Sequence, residues 1–253
     1  MAERQTALIT GASSGIGADL ARLFARDGYE LVLVARGEAK LRELGLPATI
    51  IAADLTDPAA PQRIIDELRA KSIGVDVLVN NAGVGVAGPF VETDLQAELA
   101  MIQLNIVALT HLTKLLLPGM VARRRGRVLN VASTAAFQPG PLMAVYYATK
   151  AYVLSFSEAI AEELRDSGVT VTALCPGPTE TGFAAAANMG GTRLFTMTRP
   201  ADSHAVAEAG YQAMKRGRRV VIPGLKNKLL AQSVRVSPRR LVATIVRKMQ
   251  EKA

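Results

Sequence analysis

One cysteine, Cys175, and two histidines, His111 and His204, are the whole supply of soft metal ligands in this 253-residue chain. A lone cysteine excludes an intrachain disulfide and a cysteine-rich metal site. The histidines stand far apart without metal-ligand spacing, so both are expected to be structural and no metal is expected. Cys175, at a strand end, reads as a small packing residue. Apolar runs are short, and none is expected to reach the ~20 residues of a membrane span. Met1 to Gln5 runs into a strand-like segment without a signal-peptide pattern, so a cytoplasmic, reduced protein is expected.

Acids are scarce at the carboxyl end. From Lys215 onward there are 12 lysines and arginines against one acid, Glu251, while the preceding residues hold 18 against 21. The net charge of +8 is therefore a property of the tail, the body being slightly negative at −3. No aromatics interleave with these cations to stack on bases, so nucleic acid is not an expected partner.

What is present is an ordinary globular balance, 49% hydrophobic and 21% charged. Disordered and fibrous classes are excluded. A chain of this length buries roughly 70–75% of its unfolded surface and needs no staples. Short runs, apolar at consecutive positions, recur at 7–10, 31–35, 48–53, 75–79, 127–131, 169–174 and 220–222. That pattern predicts strands covered on both faces. Helical patterns lie between them, at Gly15 to Arg26, from an Asp57 N-cap with Pro58 at the first helical position, from Leu95 to a stop at Pro118-Gly119, and at Val145 to Arg165. The alternation predicts a single α/β domain over residues 1–253, a Rossmann-like doubly wound fold with about seven parallel strands and helices on both faces.

Thr10-Gly11-Ala12-Ser13-Ser14-Gly15-Ile16-Gly17 joins the first strand to the first helix. Gly11 permits a tight turn, and Gly15 and Gly17 permit close approach to a pyrophosphate at the helix N-terminus. The spacing is G-x-x-x-G-x-G rather than G-x-G-x-x-G.

These residues, with five further segments in order, resemble the short-chain dehydrogenase/reductase family. The others are Asn80-Asn81-Ala82-Gly83, Asn105, Ser133, the pair Tyr146 and Lys150, and Pro176-Gly177-Pro178-Thr179-Glu180-Thr181. The resemblance implies a hydride-transfer enzyme with Asn105, Ser133, Tyr146 and Lys150 as its catalytic set. Asn105 would order a water in a proton relay from the lysine. It also implies cofactor contacts from Gly11, Ser13, Ser14, Gly15, Ile16, Gly17, Asn81, Ala82, Gly83, Tyr146, Lys150, Pro176, Gly177, Thr179 and Thr181. Asp54 and Leu55, after the third strand, resemble the family's adenine contact.

Tyr146 and Lys150 are i and i+4, on one helix face. A phenol is a poor acid at neutral pH, and a nearby ammonium would favour the phenolate. Ser133 can hydrogen-bond a substrate oxygen. Tyr147, three residues from Lys150, competes with Tyr146, and helix geometry does not choose between them; the family spacing chooses Tyr146. After the second strand stand Arg36 and Gly37, with no acid before Glu38. An arginine fork suits a 2′-phosphate, so NADP is the expected cofactor, with Ser13 and Lys40 assisting.

Three segments are expected around the substrate by family layout, Val84 to Phe90, Thr134 to Met143 and Phe183 to Thr198, the last within a loop at 178–200. Ala135, Phe137, Leu142, Met143 and Phe183, with Ser133, are the substrate candidates, and Phe195 and Met197 add to an apolar lining. Gly190-Gly191 gives the loop hinge potential. An apolar ketone, aldehyde or secondary alcohol is expected.

The 225–253 tail is basic and helical, resembling a bacterial subgroup of the family. Its stripe of Leu241, Val242, Ile245, Val246 and Met249 predicts burial of Leu241, Ile245 and Val246 and exposure of Arg240 and Arg247. Packing on the body or a subunit face in a homodimer or homotetramer is favoured over a substrate-entrance lid, an acidic partner or a weak membrane-surface contact. Two rivals stand beside the enzyme reading, a non-catalytic NADP-binding sensor or scaffold and a peripheral membrane or nucleic-acid binder.

Overall fold

The computed structural model describes residues 4–187, 189, 192–194 and 199–251. The apolar runs form seven strands: β1 (Thr6–Thr10), β2 (Glu30–Ala35), β3 (Ala48–Ala52), β4 (Val77–Asn80), β5 (Gly126–Val131), β6 (Val169–Leu174) and β7 (Val220–Val221). They make one sheet in the order β3-β2-β1-β4-β5-β6-β7, with every pairing parallel. The helices are α1 (Gly15–Arg26), α2 (Glu38–Arg42), α3 (Ala60–Ala70), α4 (Leu95–Ile102), α5 (Leu109–Ala122), α6 (Ala144–Glu163), α7 (Phe183–Ala186), α8 (Ser203–Lys215), α9 (Leu225–Ser233) and α10 (Arg239–Gln250).

Consecutive apolar residues serve opposite faces. Ile9 and Leu33 pack with Leu20, Phe24, Val206 and Tyr211 of α1 and α8. Their neighbours Leu8 and Val32 pack on the other face with Ile64, Leu68 and Leu112 of α3 and α5. The chain winds outward from β1 to β3, returns beside β1 as β4, and winds the other way. A crevice therefore opens where the carboxyl ends of β1 and β4 part, the place where such sheets bind ligands.

Three sequence expectations are corrected. Asp57 caps a turn rather than the helix: its Oδ1 accepts from the Ala59 N–H at 2.9 Å, and α3 starts at Ala60 with Pro61, not Pro58, in its first turn. Pro118 does not end its helix, which runs on to Ala122. An internal proline costs ~3 kcal/mol. Burying Met120 completely returns ~1.5–3 kcal/mol, and Arg123 Nη2 donates to the Val75 carbonyl at 2.9 Å just beyond. Finally, α4, a π-helical turn at Gln103–Ala108 and α5 form one 28-residue helix, long and apolar enough to span a bilayer. In this fold it packs against the sheet and α3, with Met101, Ala108, Leu112 and Met120 buried.

The tail departs from expectation too. In α10 Val242, Val246 and Gln250 are buried, whereas Leu241 and Ile245 are about half exposed. The buried face is the i, i+4, i+8 row that includes a polar residue, so the hydrophobic stripe is rotated away from the contact. Arg240 and Arg247 are exposed as expected.

Candidate active site

Thr10 ends β1, and the turn into α1 needs left-handed backbone at Gly11 (φ +64°) and Gly15 (φ +54°). Space is as restrictive as conformation. A Cβ on Gly11 would lie 2.8 Å from Ala82 Cα, and one on Gly17 2.3 Å from the Gly11 carbonyl oxygen. Thr10 Oγ1 ties this loop to the segment after β4, accepting from the N–H groups of Asn81 (3.0 Å) and Ala82 (3.1 Å). Asn81 Nδ2 donates back to the carbonyls of Thr10 and Gly11, at 2.9 and 3.1 Å. Thr181 closes the far side, its Cγ2 2.9 Å from where a Gly15 Cβ would stand.

Ser14 is the N-cap of α1, but its side chain makes no capping bond, and the first turn carries no acid. The N–H groups at this end retain their capacity for an anion, reinforced by the helix dipole. Loop, helix end and Thr181 thus make a glycine-lined cradle closed on one side by Thr181, and it fits a dinucleotide pyrophosphate. At its rim Arg36 is exposed at the end of β2. Asp54 accepts from the N–H and hydroxyl of Thr56 at 2.9 and 2.8 Å; these bonds and the Arg36 charge hold its carboxyl below the usual range. Leu55 buries its side chain in the core, leaving only its backbone for a ligand. Pro176 and Gly177 follow β6, and Thr179 Oγ1 donates to the Gly177 carbonyl at 2.9 Å.

Tyr146 and Lys150 lie one turn apart on α6, both buried. Lys150 Nζ donates to the Val131 carbonyl at 2.8 Å and stands 5.8 Å from the centre of the Tyr146 ring. Ser133, just past β5, accepts from the Ala135 N–H at 3.1 Å and lies within hydrogen-bonding reach of the Tyr146 hydroxyl. The π-helical turn points Asn105 inward. Its Nδ2 donates to Thr149 Oγ1 and the Val84 carbonyl, both at 3.0 Å, and its Oδ1 accepts from the Val84 N–H. A Cβ on Gly83 would meet Asn105 Oδ1 at 3.2 Å and Lys150 Nζ at 3.4 Å, so cradle and catalytic candidates adjoin.

Burial lowers the Lys150 ammonium to about 8. It pushes the Tyr146 phenol well above its ordinary value, with the Ser133 hydrogen bond opposing. The expected depression of the tyrosine by the lysine is therefore corrected. Burial is the largest cause, and Lys150 donates to the Val131 carbonyl rather than to the phenol. Tyr147 is separated from Tyr146 by its partners. Its ring lies over Gly140, where a Cβ would be 2.0 Å from Tyr147 Cγ, and its hydroxyl accepts from Gln250 Nε2 at 2.7 Å.

Ala135, Met143 and Phe183 cluster with Tyr146. The Phe183 and Tyr146 ring centres are 5.2 Å apart, and a Cβ on Gly85 would lie 2.7 Å from Phe183 Cζ and 3.1 Å from Met143 Cε. Leu142 is half-buried, with φ +66°. Phe137 is half-buried and packs with Val153 and Leu154 in a different cluster. Gly190, Gly191, Phe195 and Met197 lie outside the described residues. Two contributors escaped the sequence reading: Thr149 orients Asn105, and Gln250 reaches Tyr147. Gly85, inside the expected 84–90 segment, makes room for Phe183. Only Gln250 had a signal, a lone amide on the inner row of a basic helix.

Residues 5–190 match the short chain dehydrogenase family model. The chain belongs to the short-chain dehydrogenase/reductase family. A solved short-chain dehydrogenase from Sphingobium yanoikuyae in complex with NADPH is 34% identical, covers 93% of this chain and 96% of its own, and superposes with a TM-score of 0.81. The bulky-bulky ketone specific alcohol dehydrogenase from Comamonas testosteroni is 31% identical over 93% and 95%, with a TM-score of 0.76. A short chain dehydrogenase of Pseudocercospora fijiensis is 35% identical over 190 residues, which are 72% of this chain and 62% of that protein. Members of the short-chain dehydrogenase/reductase family are oxidoreductases, and this one shares their seven-stranded parallel sheet.

Proposed function

We propose that this protein is an NADP(H)-dependent oxidoreductase that interconverts a carbonyl and an alcohol on an apolar ketone, aldehyde or secondary alcohol. The observation that carries the reading is the meeting of Ser133, Tyr146, Lys150 and Asn105 beside the glycine-lined cradle at the carboxyl ends of β1 and β4. A nicotinamide dinucleotide bound here would supply the hydride in reduction and accept it in oxidation. Gly11 to Gly17 and Thr181 would hold its pyrophosphate, and Arg36 would take the 2′-phosphate. The NADPH in the Sphingobium yanoikuyae relative supports that choice.

Ser133 positions the substrate oxygen. Tyr146 gives its hydroxyl proton to that oxygen in reduction and removes it in oxidation. Below about pH 8 Lys150 is an ammonium, and it stands 5.8 Å from the centre of the Tyr146 ring. Asn105, fixed between Val84 and Thr149, holds the relay beside Lys150. Met143, Phe183 and Ala135 exclude water from the reacting carbonyl. The ketone specificity named for the Comamonas testosteroni relative accords with this apolar wall.

A panel of ketones, aldehydes and secondary alcohols, assayed with each nicotinamide cofactor, tests the reading. Turnover of at least one apolar compound, faster with NADPH than NADH, is expected. A protein that binds NADPH tightly yet turns over no member would instead be the sensor.

A further inference from the structure

No aspartate or glutamate occurs between Glu208 and Glu251. Over the same stretch α9 and α10 are turned partly inside out. On α9 Ala231 is buried and Asn227 half-buried, while Leu225, Leu229 and Leu230 are exposed. Val236, in the connection, is 87% exposed, and Leu241 and Ile245 of α10 are exposed beside it in sequence. Lys226, Lys228, Arg235, Arg240, Arg247 and Lys248 are all exposed in these two helices and their connection. Among the described residues, only Arg247 of these has an ion pair, with Glu251 at 3.5 Å. Exposed leucines at this density mark a contact surface, because water does not hold them.

We propose that the outer face of α9 and α10 is a docking surface for an anionic lipid bilayer. The leucines need an apolar phase and the unpaired cations an anionic one, and a bilayer of acidic phospholipids presents both in one plane. A second copy on the same face would set cations against cations, with Glu251 the one acid of the tail to answer them. A nucleic acid would satisfy the cations and leave the leucines in water. The body, at −3 over residues 1–214, is repelled by the same lipids, so the charge polarity turns this face toward them. The inner row of α10 meets the site: Val242 and Val246 pack in the Tyr146–Tyr147 cluster, and Gln250 bonds Tyr147. Lipid bound outside α10 therefore lies about one helix diameter, ~10 Å, from that cluster.

Flotation of the full chain with vesicles of phosphatidylcholine, alone or mixed with phosphatidylglycerol, tests this without any turnover assay, so the result is independent of the oxidoreductase reading. Flotation with the mixed vesicles is expected, weakened by salt, and little with phosphatidylcholine alone. The pair Lys226→Glu/Arg240→Glu should lower partitioning by about tenfold or more, since each cation near an anionic surface counts separately. Leu225→Ser/Leu229→Ser should lower it by a similar factor. All four side chains are exposed, so melting temperature and NADPH affinity should match the parent and show that the fold is intact. Absence of flotation, equal flotation on both vesicles, or parent-like flotation of either pair overturns the proposal. So does duplex DNA binding without vesicle binding, or a dimer that Leu229→Arg dissociates while vesicles bind nothing.

Discussion

Replacing Lys150 by methionine tests how far burial governs the site. The lysine sits at 6% exposure, and its ammonium falls from 10.5 to about 8. Between those values the unfolded chain holds a proton that the folded chain has released. Stability therefore rises with pH across that window, and the burden is fully present below about 8. At ~1.4 kcal/mol per pH unit, the interval is worth about 3 kcal/mol at neutral pH. Methionine keeps most of the length and does not titrate. It also strips the Val131 carbonyl of its Nζ donor, a cost of ~1–3 kcal/mol that does not vary with pH. The sign of the offset between the two proteins is thus open, but its pH dependence is not. In urea unfolding without nucleotide, the parent should gain about 2–3 kcal/mol on Lys150→Met between pH 7 and pH 10. Titrations not coupled to Lys150 cancel in the difference, and the coupled Cys175 thiol, pushed up to about 12 by burial, stays protonated across this range. A gap that stays constant, or that moves against the parent as pH rises, would refute the reasoning.

Arg36→Asp should weaken NADPH by roughly 10- to 150-fold, the value of a charge-assisted hydrogen bond, and NADH far less. Fluorescence titration of both cofactors checks it, and equal weakening would show that Arg36 does not read the phosphate. Gly17→Ala places a methyl 2.3 Å from the Gly11 carbonyl oxygen, so the glycine loop must shift. Loss of NADPH binding by calorimetry is expected, with a lowered melting temperature. Gln250→Ala removes the buried bond to Tyr147 and loosens α10 over the Tyr146 cluster. It should raise KM severalfold and leave the NADPH dissociation constant near the parent value; an unchanged KM would deny α10 a part in substrate access.

The sheet was legible because its inner strands are sealed on both faces, which writes consecutive apolar residues into the chain, while the edge strands β3 and β7 are only half-buried. The glycine loop was legible because left-handed backbone and a 2.3 Å approach admit no other residue at Gly11 or Gly17. Pro118 and Asp57 misled because local rules price only the backbone. Met120 and Arg123 carry the helix past the proline through contacts distant in sequence. The tail misled more deeply. Its strongest periodic signal, Leu241 with Ile245, faces outward, and the weaker row of Val242, Val246 and Gln250 makes the contact. Periodicity reports a face but not what lies against it. Helix geometry left Tyr146 and Tyr147 equivalent beside Lys150, and partners distant in sequence, Ser133 for one and Gln250 for the other, separate them in the structure.

The central claim is that Tyr146 moves the proton. The direct measurement is turnover of Tyr146→Phe and Tyr147→Phe with NADPH and the best carbonyl compound from the panel, alongside NADPH titrations of both. General acid catalysis contributes ~10²–10⁴-fold. Tyr146→Phe should lose turnover by at least that range while binding NADPH nearly as the parent does, because the ring and its contact with Phe183 remain. Tyr147→Phe should keep most of its rate, losing only the bond to Gln250. Retained activity in Tyr146→Phe with loss in Tyr147→Phe would contradict the account.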